Sequence, residues 1–268
     1  MVGCKISRLD LSPLPRLTWL RCDNNYLSDL NLSDTPHLVS LRCDQNQLGE
    51  LDLSALPDLK KLSCGSNRLV KLCLDGVPNL TECSCESNQL AELCLSSVPN
   101  LETLSCGSNQ LTDLNLLDLT KLVILECTNN HLTRLDLLEV PSLDCLLCGM
   151  NPLRTLDLAE SCNLTWLQCH KCDLAELDLS GAMHLSLLEC MQNQLTELDL
   201  AEVPNLTSLI CSANQLTELN LSHVPGLEEL RCAENQLTEL DIRPLKGLRE
   251  LNYDRQNTRL IQRPDQNF

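Results

Sequence analysis

Leucine and cysteine recur along this chain with a period that belongs to neither a helix nor an ordinary strand. Cysteines stand at Cys22, Cys43, Cys64, Cys85, Cys106, Cys127, Cys148, Cys169, Cys190, Cys211 and Cys232, each 21 residues after the last, with no insertion or deletion. Around each, the chain reads L-x-x-L-x-C-x-x-N-x-L-x-x-L-x-L-x-x-x-P-x. In the first half of a unit Leu20 and Cys22 are two apart, and in the second half Leu30 and Leu32 are two apart. A spacing of two puts both side chains on the same side of an extended segment. One 21-residue unit cannot bury its own apolar face, but stacked units bury a continuous core. The pattern predicts short parallel strands near positions 19–22 of each turn, weaker extended segments near 30–32, and little helix, because the strict spacing leaves no room for a helix of ordinary length. About 12 turns stacked at about 4.8 Å each would give a right-handed parallel β solenoid, rod-like or curved, about 60 Å long.

Two further columns accompany the cysteines. Asn25, Asn46, Asn67, Asn88, Asn109, Asn130, Asn151, Asn193, Asn214 and Asn235 follow them at a fixed offset, with Cys172 interrupting the series. A buried amide must be satisfied, so each Asn is expected to bond turn backbone within the stack, and Cys172 to weaken the stack locally. Pro36, Pro57, Pro78, Pro99, Pro141, Pro204 and Pro225 fit tight turns that need no backbone donor. On the eleven-residue core with its Asn, the chain resembles the leucine-rich repeat family over nearly its whole length. Its nested halves, LTWLRCDNNY and LSDLNLSDTPH, are similar to the bacterial 21-residue class, with Cys where a third Leu usually stands. The resemblance implies the α/β leucine-rich repeat class, here almost helix-free. Residues 1–252 read as the solenoid and 253–268 as a polar C-terminal cap, where Tyr253, Gln256 and Thr258 replace the pattern and Lys246, Arg249, Arg255, Arg259 and Arg263 gather. At the other end residues 4–15 already read as half a repeat. An uncovered core edge is an aggregation hazard, so that end is expected either to be tolerated open or to be covered by a preceding segment.

Charge and composition narrow the function. Twenty basic against 37 acidic side chains leave a formal net charge of −17, and aromatics are 2% of the chain. Such a surface repels a phosphate backbone and lacks the rings that stack on single-stranded bases, so no nucleic-acid partner is expected. No run of about 20 apolar residues exists to span a membrane, and no secretory signal is visible at the N-terminus.

The 18 cysteines invite two readings besides packing. Eleven thiols with parallel side-chain vectors pair poorly as disulfides, so the ladder reads as small apolar filling in a narrow core, which suits a reducing compartment. Cys145-x-x-Cys148 followed by Cys169-x-x-Cys172 has a zinc-like spacing. The repeat register argues against it, since Cys148 and Cys169 fall in the core column, Cys145 is expected to face solvent, and Cys172 falls in the Asn column. No metal and no cofactor are expected. Cys73 and Cys94 differ from the rest: both lie between inward leucines on the outer face of adjacent turns, where a reversible disulfide is conceivable.

Function must then lie on the outer faces. The column before the first inward residue contains Ile124, Cys145, Trp166 and Leu187 in succession. Leu147 and Ile210 lie in the column beside it, and Met150 and Met191 one register further on. An exposed apolar patch centred on Trp is the usual look of a partner site, and these eight residues are the candidate site. The opposite half-repeat is acidic, with Glu176, Glu197, Glu218 and Glu239 in one column and Asp136, Asp157, Asp178, Asp199 and Asp241 in another. It reads as a solvated face, with calcium binding a lesser alternative. No catalytic residues are expected: His37, His131, His170, His184 and His223 have no paired nucleophile, and there is no phosphate loop. Some bacterial leucine-rich repeat proteins are ubiquitin ligases, but their chemistry lies in a separate domain after the repeats. The expectation is a monomeric, non-enzymatic module, cytoplasmic or delivered to a host cytoplasm, that binds another protein. The alternatives are a structural or ion-stabilised solenoid without a specific partner, or the recognition half of an effector whose catalytic domain lies elsewhere.

Overall fold

The structure, a computed structural model, describes residues 2–12 and 14–268. It is a parallel β-solenoid of about 12 turns of about 21 residues, with no helix among the described residues. The chain forms two compact units, Met1–Leu132 and Thr133–Phe268.

In the first unit the strands are β1 (Trp19–Arg21), β2 (Ser40–Arg42), β3 (Lys61–Ser63), β4 (Glu82–Ser84), β5 (Thr103–Ser105) and β6 (Ile124–Glu126). Each pairs in parallel with the next, so that Leu20, Leu41, Leu62, Cys83, Leu104 and Leu125 stand in one row. In the second unit β7 (Cys145–Leu147), β8 (Trp166–Gln168), β9 (Leu187–Glu189), β10 (Ser208–Ile210) and β11 (Glu229–Arg231) continue the same plan, and β13 (Glu250–Asn252) pairs with β11. A separate pair joins β12 (Glu239–Asp241) to β14 (Arg259–Ile261). A three-residue strand turns one side chain inward and two outward, and the ladder cysteine follows as the second inward residue. All eleven ladder cysteines are at most 1% exposed.

The second half of each turn is extended, as expected, but among the described residues it pairs as strand only between β12 and β14. Elsewhere the chain bends directly after the second inward leucine. Successive turns close through bonds such as Leu56 N–H to Leu53 carbonyl and Leu59 N–H to Leu56 carbonyl. The residue between the two inward leucines starts the bend. Asp10, Asn31, Asp52, Asn115, Asp136, Asp157, Asp178, Asp199, Asn220 and Asp241 each accept the backbone N–H two residues on through Oδ1. This is the Asx turn, so the aspartate column is turn chemistry as well as a charged face.

The asparagines do what their burial demands. Asn109 Nδ2 donates to the carbonyls of Cys106 (3.0 Å) and Gly107 (3.2 Å) in its own turn and of Cys85 (3.1 Å) in the turn before, while its Oδ1 accepts Leu90 N–H at 3.0 Å. The same set recurs at Asn46, Asn67 and Asn88. The residue before each column position has a left-handed backbone, with φ between 53° and 58° at Asn24, Gln45, Ser66, Ser87, Ser108, Asn129, Met150, Lys171, Gln192, Ala213 and Glu234. None of these is glycine, so every turn holds a conformation costing on the order of 1 kcal/mol.

Cys172 interrupts the column in the second unit. It is fully buried, and its Sγ lies 3.4 Å from the Cys148 carbonyl, so the thiol takes over part of the amide's donor role. It supplies no Oδ1 for Leu153, whose N–H turns to the Asn151 carbonyl instead, while Arg154 N–H bonds Cys172 carbonyl. Arg154 (φ 65°) and Asp173 (φ 58°) adopt left-handed conformations; the other asparagine-bearing turns lack them at these positions, and Lys5 (φ 58°), which follows Cys4 in the same column, shares the one at Asp173. The backbone is thus rerouted, with left-handed residues on both sides of Cys172.

At the C-terminus Thr258 Oγ1 donates to Leu237 carbonyl, and Gln266 Nε2 donates to the carbonyls of Ile242 and Leu245. Arg249 pairs with Glu228 at 2.8 Å and Arg263 with Asp265 at 3.2 Å. Residues 253–268 thus combine a last strand with side chains that close exposed carbonyls.

The core and its asparagine column set three expectations for stability. Burial pushes the ladder thiols up, Cys22 to about 11, Cys190 and Cys232 to about 12, and Cys43, Cys64, Cys106, Cys169 and Cys211 well above the ordinary value. A thiol whose folded pKa is raised contributes stability that is fully present below its unfolded value, about 8.5, and is lost as pH rises toward the folded value. Each such thiol removes about 1.4 kcal/mol per pH unit across that window. Melting temperature should therefore fall steeply between about pH 8.5 and 11, and fall less steeply when Cys43, Cys64 and Cys106 are replaced by Ala. Second, Asn109→Ala leaves Leu90 N–H and the Cys85 and Cys106 carbonyls without that partner and should cost about 2–3 kcal/mol in chemical denaturation. Cys172→Asn should restore an acceptor to Leu153 and raise stability by about 1 kcal/mol.

Candidate functional site

The strand geometry sorts the eight candidate residues. Cys145, Trp166 and Leu187 stand in register on β7, β8 and β9, pointing outward from the same column. Leu147 lies two residues along β7 on the same face. These four are brought together, and Trp166 is 36% exposed, the most of them. Cys145 was expected to face solvent and does not: it is 9% exposed. Its side chain is short and stands in register beside the Trp166 indole, so it does not reach past its neighbour. Burial, with Asp144 adding, pushes its thiol up to about 11.

Ile210 is separated from the group. Its register partners are Glu189 on one side and Arg231 on the other. Between it and Leu147 lie Gln168 and Glu189, joined by a hydrogen bond of 2.9 Å. Met150 and Met191 belong to the turns after the strands. Met150 is 40% exposed in the left-handed position, its N–H bonds His170 carbonyl, and Met191 carbonyl accepts Lys171 N–H. Ile124 lies on β6 of the first unit and is exposed. The patch in the second unit is therefore a compact apolar group of Cys145, Leu147, Trp166 and Leu187, edged on one side by a polar pair and on another by methionine-bearing turns.

The structure adds residues that the pattern did not single out. In the column after the ladder cysteine, a glycine in one turn makes room for a long side chain from the next. A Cβ on Gly149 would lie 2.4 Å from the His170 ring, one on Gly65 2.6 Å from Glu86 Oε1, and one on Gly107 2.3 Å from Glu126 Oε1. His170 sits beside the patch. Its Nδ1 is buried without a partner, and burial pulls its pKa down. Glu126 accepts Gly107 and Thr128 N–H, while burial raises its carboxyl. The signal was the Cys-Gly dipeptides, Cys64-Gly65, Cys106-Gly107 and Cys148-Gly149, which stand in three alternate turns of this column. The zinc-like quartet does not assemble as a tetrahedral centre: Cys148 and Cys169 are ladder residues, Cys172 takes the Asn place, and Cys145 lies on the outer face. Among the described residues no three His, Cys, Asp or Glu side chains stand close enough to hold a metal ion. On the opposite half-repeat, Glu176, Glu197 and Glu218 with Asp157, Asp178 and Asp199 line an open groove of about 730 Å³ floored by Leu156, Leu177 and Leu198.

A stacked 21-residue turn with an inward leucine pair, a bonded asparagine and a buried thiol is the architecture of the leucine-rich repeat family, and the chain belongs to that family. The functional domain of InlJ from Listeria monocytogenes, which includes a cysteine ladder, is 30% identical, with a TM-score of 0.68 over 97% of this chain and 67% of that one. YopM from Yersinia enterocolitica is 27% identical, TM-score 0.69, and this chain spans 96% of its own length and 61% of that protein. An internalin (inlF) from Listeria monocytogenes shares the fold at 22% identity, TM-score 0.77, over 94% of this chain and 85% of that one. No protein-family model matches the sequence, and no curated protein does.

The two side chains next to each other on β8 test the inward and outward assignment. Trp166→Ala should cost about 1 kcal/mol or less in chemical denaturation, as a partly exposed surface change does. Leu167→Ala, fully buried, should cost about 3 kcal/mol.

Proposed function

We propose that the chain is a non-catalytic protein-interaction module whose binding surface is the β7–β9 face centred on Trp166. The observation that carries this reading is the joined apolar group of Cys145, Leu147, Trp166 and Leu187 on a sheet face whose other outward residues are mostly polar or charged, such as Glu229 and Arg231. The mechanism is rigid display. The inward leucines and thiols hold the strands, and the outward residues present a surface that needs little ordering on contact, which lowers the cost of association. The solved neighbours support a leucine-rich repeat interaction module in general terms. An acidic chain with a buried thiol ladder suits a reducing compartment, the cytoplasm or that of a host cell into which it is delivered. No helix among the described residues is long and apolar enough to cross a membrane. A monomer suffices for this display, with Ile210, Met150 and Met191 as outlying contacts.

Immobilised wild-type protein, Trp166→Ala and Trp19→Ala provide the test. Trp166→Ala should lose more than about 2 kcal/mol of affinity for a partner held by wild type, with an unchanged circular-dichroism melt. Trp19→Ala should bind nearly as well, because Trp19 stands beside Arg21 and Arg42 and its contacts would be wet and rim-like. The two variants distinguish the fluorophores: only the emission from Trp166 should shift on binding. Equal binding by Trp166→Ala and wild type would remove the patch as the site.

A further inference from the structure

The column that starts every bend in the second half-repeat is Asp or Asn in ten of the described turns, and each makes an Asx turn. In two consecutive turns of the first unit it is cysteine instead, at Cys73 and Cys94. Neither turn contains the carboxylate or amide acceptor used elsewhere, and both thiols are exposed. Among the described residues the exposed cysteines are Cys4, Cys73, Cys94 and Cys162, and only Cys73 and Cys94 stand one repeat apart in the same column.

The surroundings bring the two turns close at this point. Asp75 accepts a hydrogen bond from Ser97 Oγ of the next turn at 2.7 Å and lies 3.5 Å from Cys73 Sγ. Cys94 Sγ lies 3.3 Å from Ser96 Oγ. The two sulfurs therefore have matching places, each beside the residue two positions on, and the Asp75–Ser97 bond ties the turns together next to them. Neighbouring strands of a stack lie about 4.8 Å apart, inside the Cα separation that a disulfide spans. Hydrogen bonding from Ser96 also holds the Cys94 thiol below its usual range, which makes it the readier nucleophile.

We propose that Cys73 and Cys94 form a surface dithiol site that exchanges with low-molecular-weight disulfides and closes to a cross-turn disulfide. The Cys94 thiolate attacks one sulfur of the small disulfide, whose S–S bond breaks and releases one thiol that takes a proton from water. The Cys73 thiol gives its proton to water and attacks Cys94 Sγ, expelling the second small thiol. Two protein thiols are oxidised and one small disulfide is reduced to two thiols. The ladder thiols take no part, since they are buried and pushed toward the unreactive neutral form.

The test uses the full chain in glutathione buffers of defined disulfide-to-thiol ratio, quenched with acid, alkylated and cut after glutamate. Glu82, Glu86 and Glu92 lie between the two cysteines, so the cross-link appears as two peptides joined by a bond that reductant removes. The expected result is a Cys73–Cys94 cross-link half-formed at a ratio at least about tenfold more reducing than that giving mixed disulfides at Cys4 or Cys162, because the second thiol is held at high effective concentration. Cys73→Ser and Cys94→Ser should each leave a single glutathione adduct on the remaining cysteine, with an unchanged circular-dichroism spectrum. Separate glutathione adducts on both Cys73 and Cys94 in wild type with no cross-link at any ratio would overturn the proposal. So would a cross-link from either one to Cys4, Cys162 or a ladder cysteine.

Discussion

A buried asparagine amide in most turns closes backbone groups that belong to two different turns, and the solenoid repeats because that amide is satisfied on every side. Its NH₂ reaches carbonyls of its own turn and of the one before, and its oxygen takes an N–H that no strand could use. A tight turn buried in a stack would otherwise leave polar backbone unpaired at a cost of a few kcal/mol per group. The interaction needs the same offset from the strand wherever it recurs, which is why the period holds at 21 from Cys22 to Cys232, while the last pairing, Glu239 with Arg259, spans 20 residues. It also explains why the turn tolerates a left-handed backbone at Ser108 or Ala213 without glycine: the bonded amide over-determines the conformation.

The thiol ladder follows from the same geometry. Where the strand runs into the asparagine turn the interior is narrow, and a cysteine fills it with less bulk than leucine and no obligatory hydrogen bond. Burial penalises ionisation of thiols such as Cys43, Cys106 and Cys211, so the core is held together in part by their neutrality. The outer surface carries the opposite character, with a net charge of −17. Much of that acidity is used locally, since the aspartates between inward leucines also cap the bends that return the chain to the next turn.

The departures from the pattern are concentrated rather than scattered. In the second unit the turns that carry Leu147 and Trp166 also contain Cys172 in the asparagine place, left-handed Arg154 and Asp173, and His170 with an unpartnered ring nitrogen under Gly149. The neighbouring Cys148 thiol holds Cys172 below its usual range, opposite to the ladder. Strain and unsatisfied polar atoms persist only where surrounding packing over-determines them, and here they adjoin the apolar face. In the first unit the departure is different in kind: two thiols replace turn-forming acceptors and leave the fold of those turns intact.

Periodicity alone determined the strands, the inward leucines and cysteines, the bonded asparagines and the absence of helix, because each depends on a residue's place within one 21-residue unit. Tertiary structure decided what depends on the neighbouring turn. Cys145 counts as outward by register, yet beside Trp166 it is buried. Leu147 and Ile210 share a column, yet Gln168 and Glu189 join between them. The aspartate column looks like a solvated face in sequence and is a set of capped bends in space. Gly65, Gly107 and Gly149 look like loose turn residues until the side chains of Glu86, Glu126 and His170 are seen folded over them. A repeat specifies its own backbone. The exposure of a side chain is set by the size and hydrogen bonding of the residue 21 positions away, and that information lies across the stack.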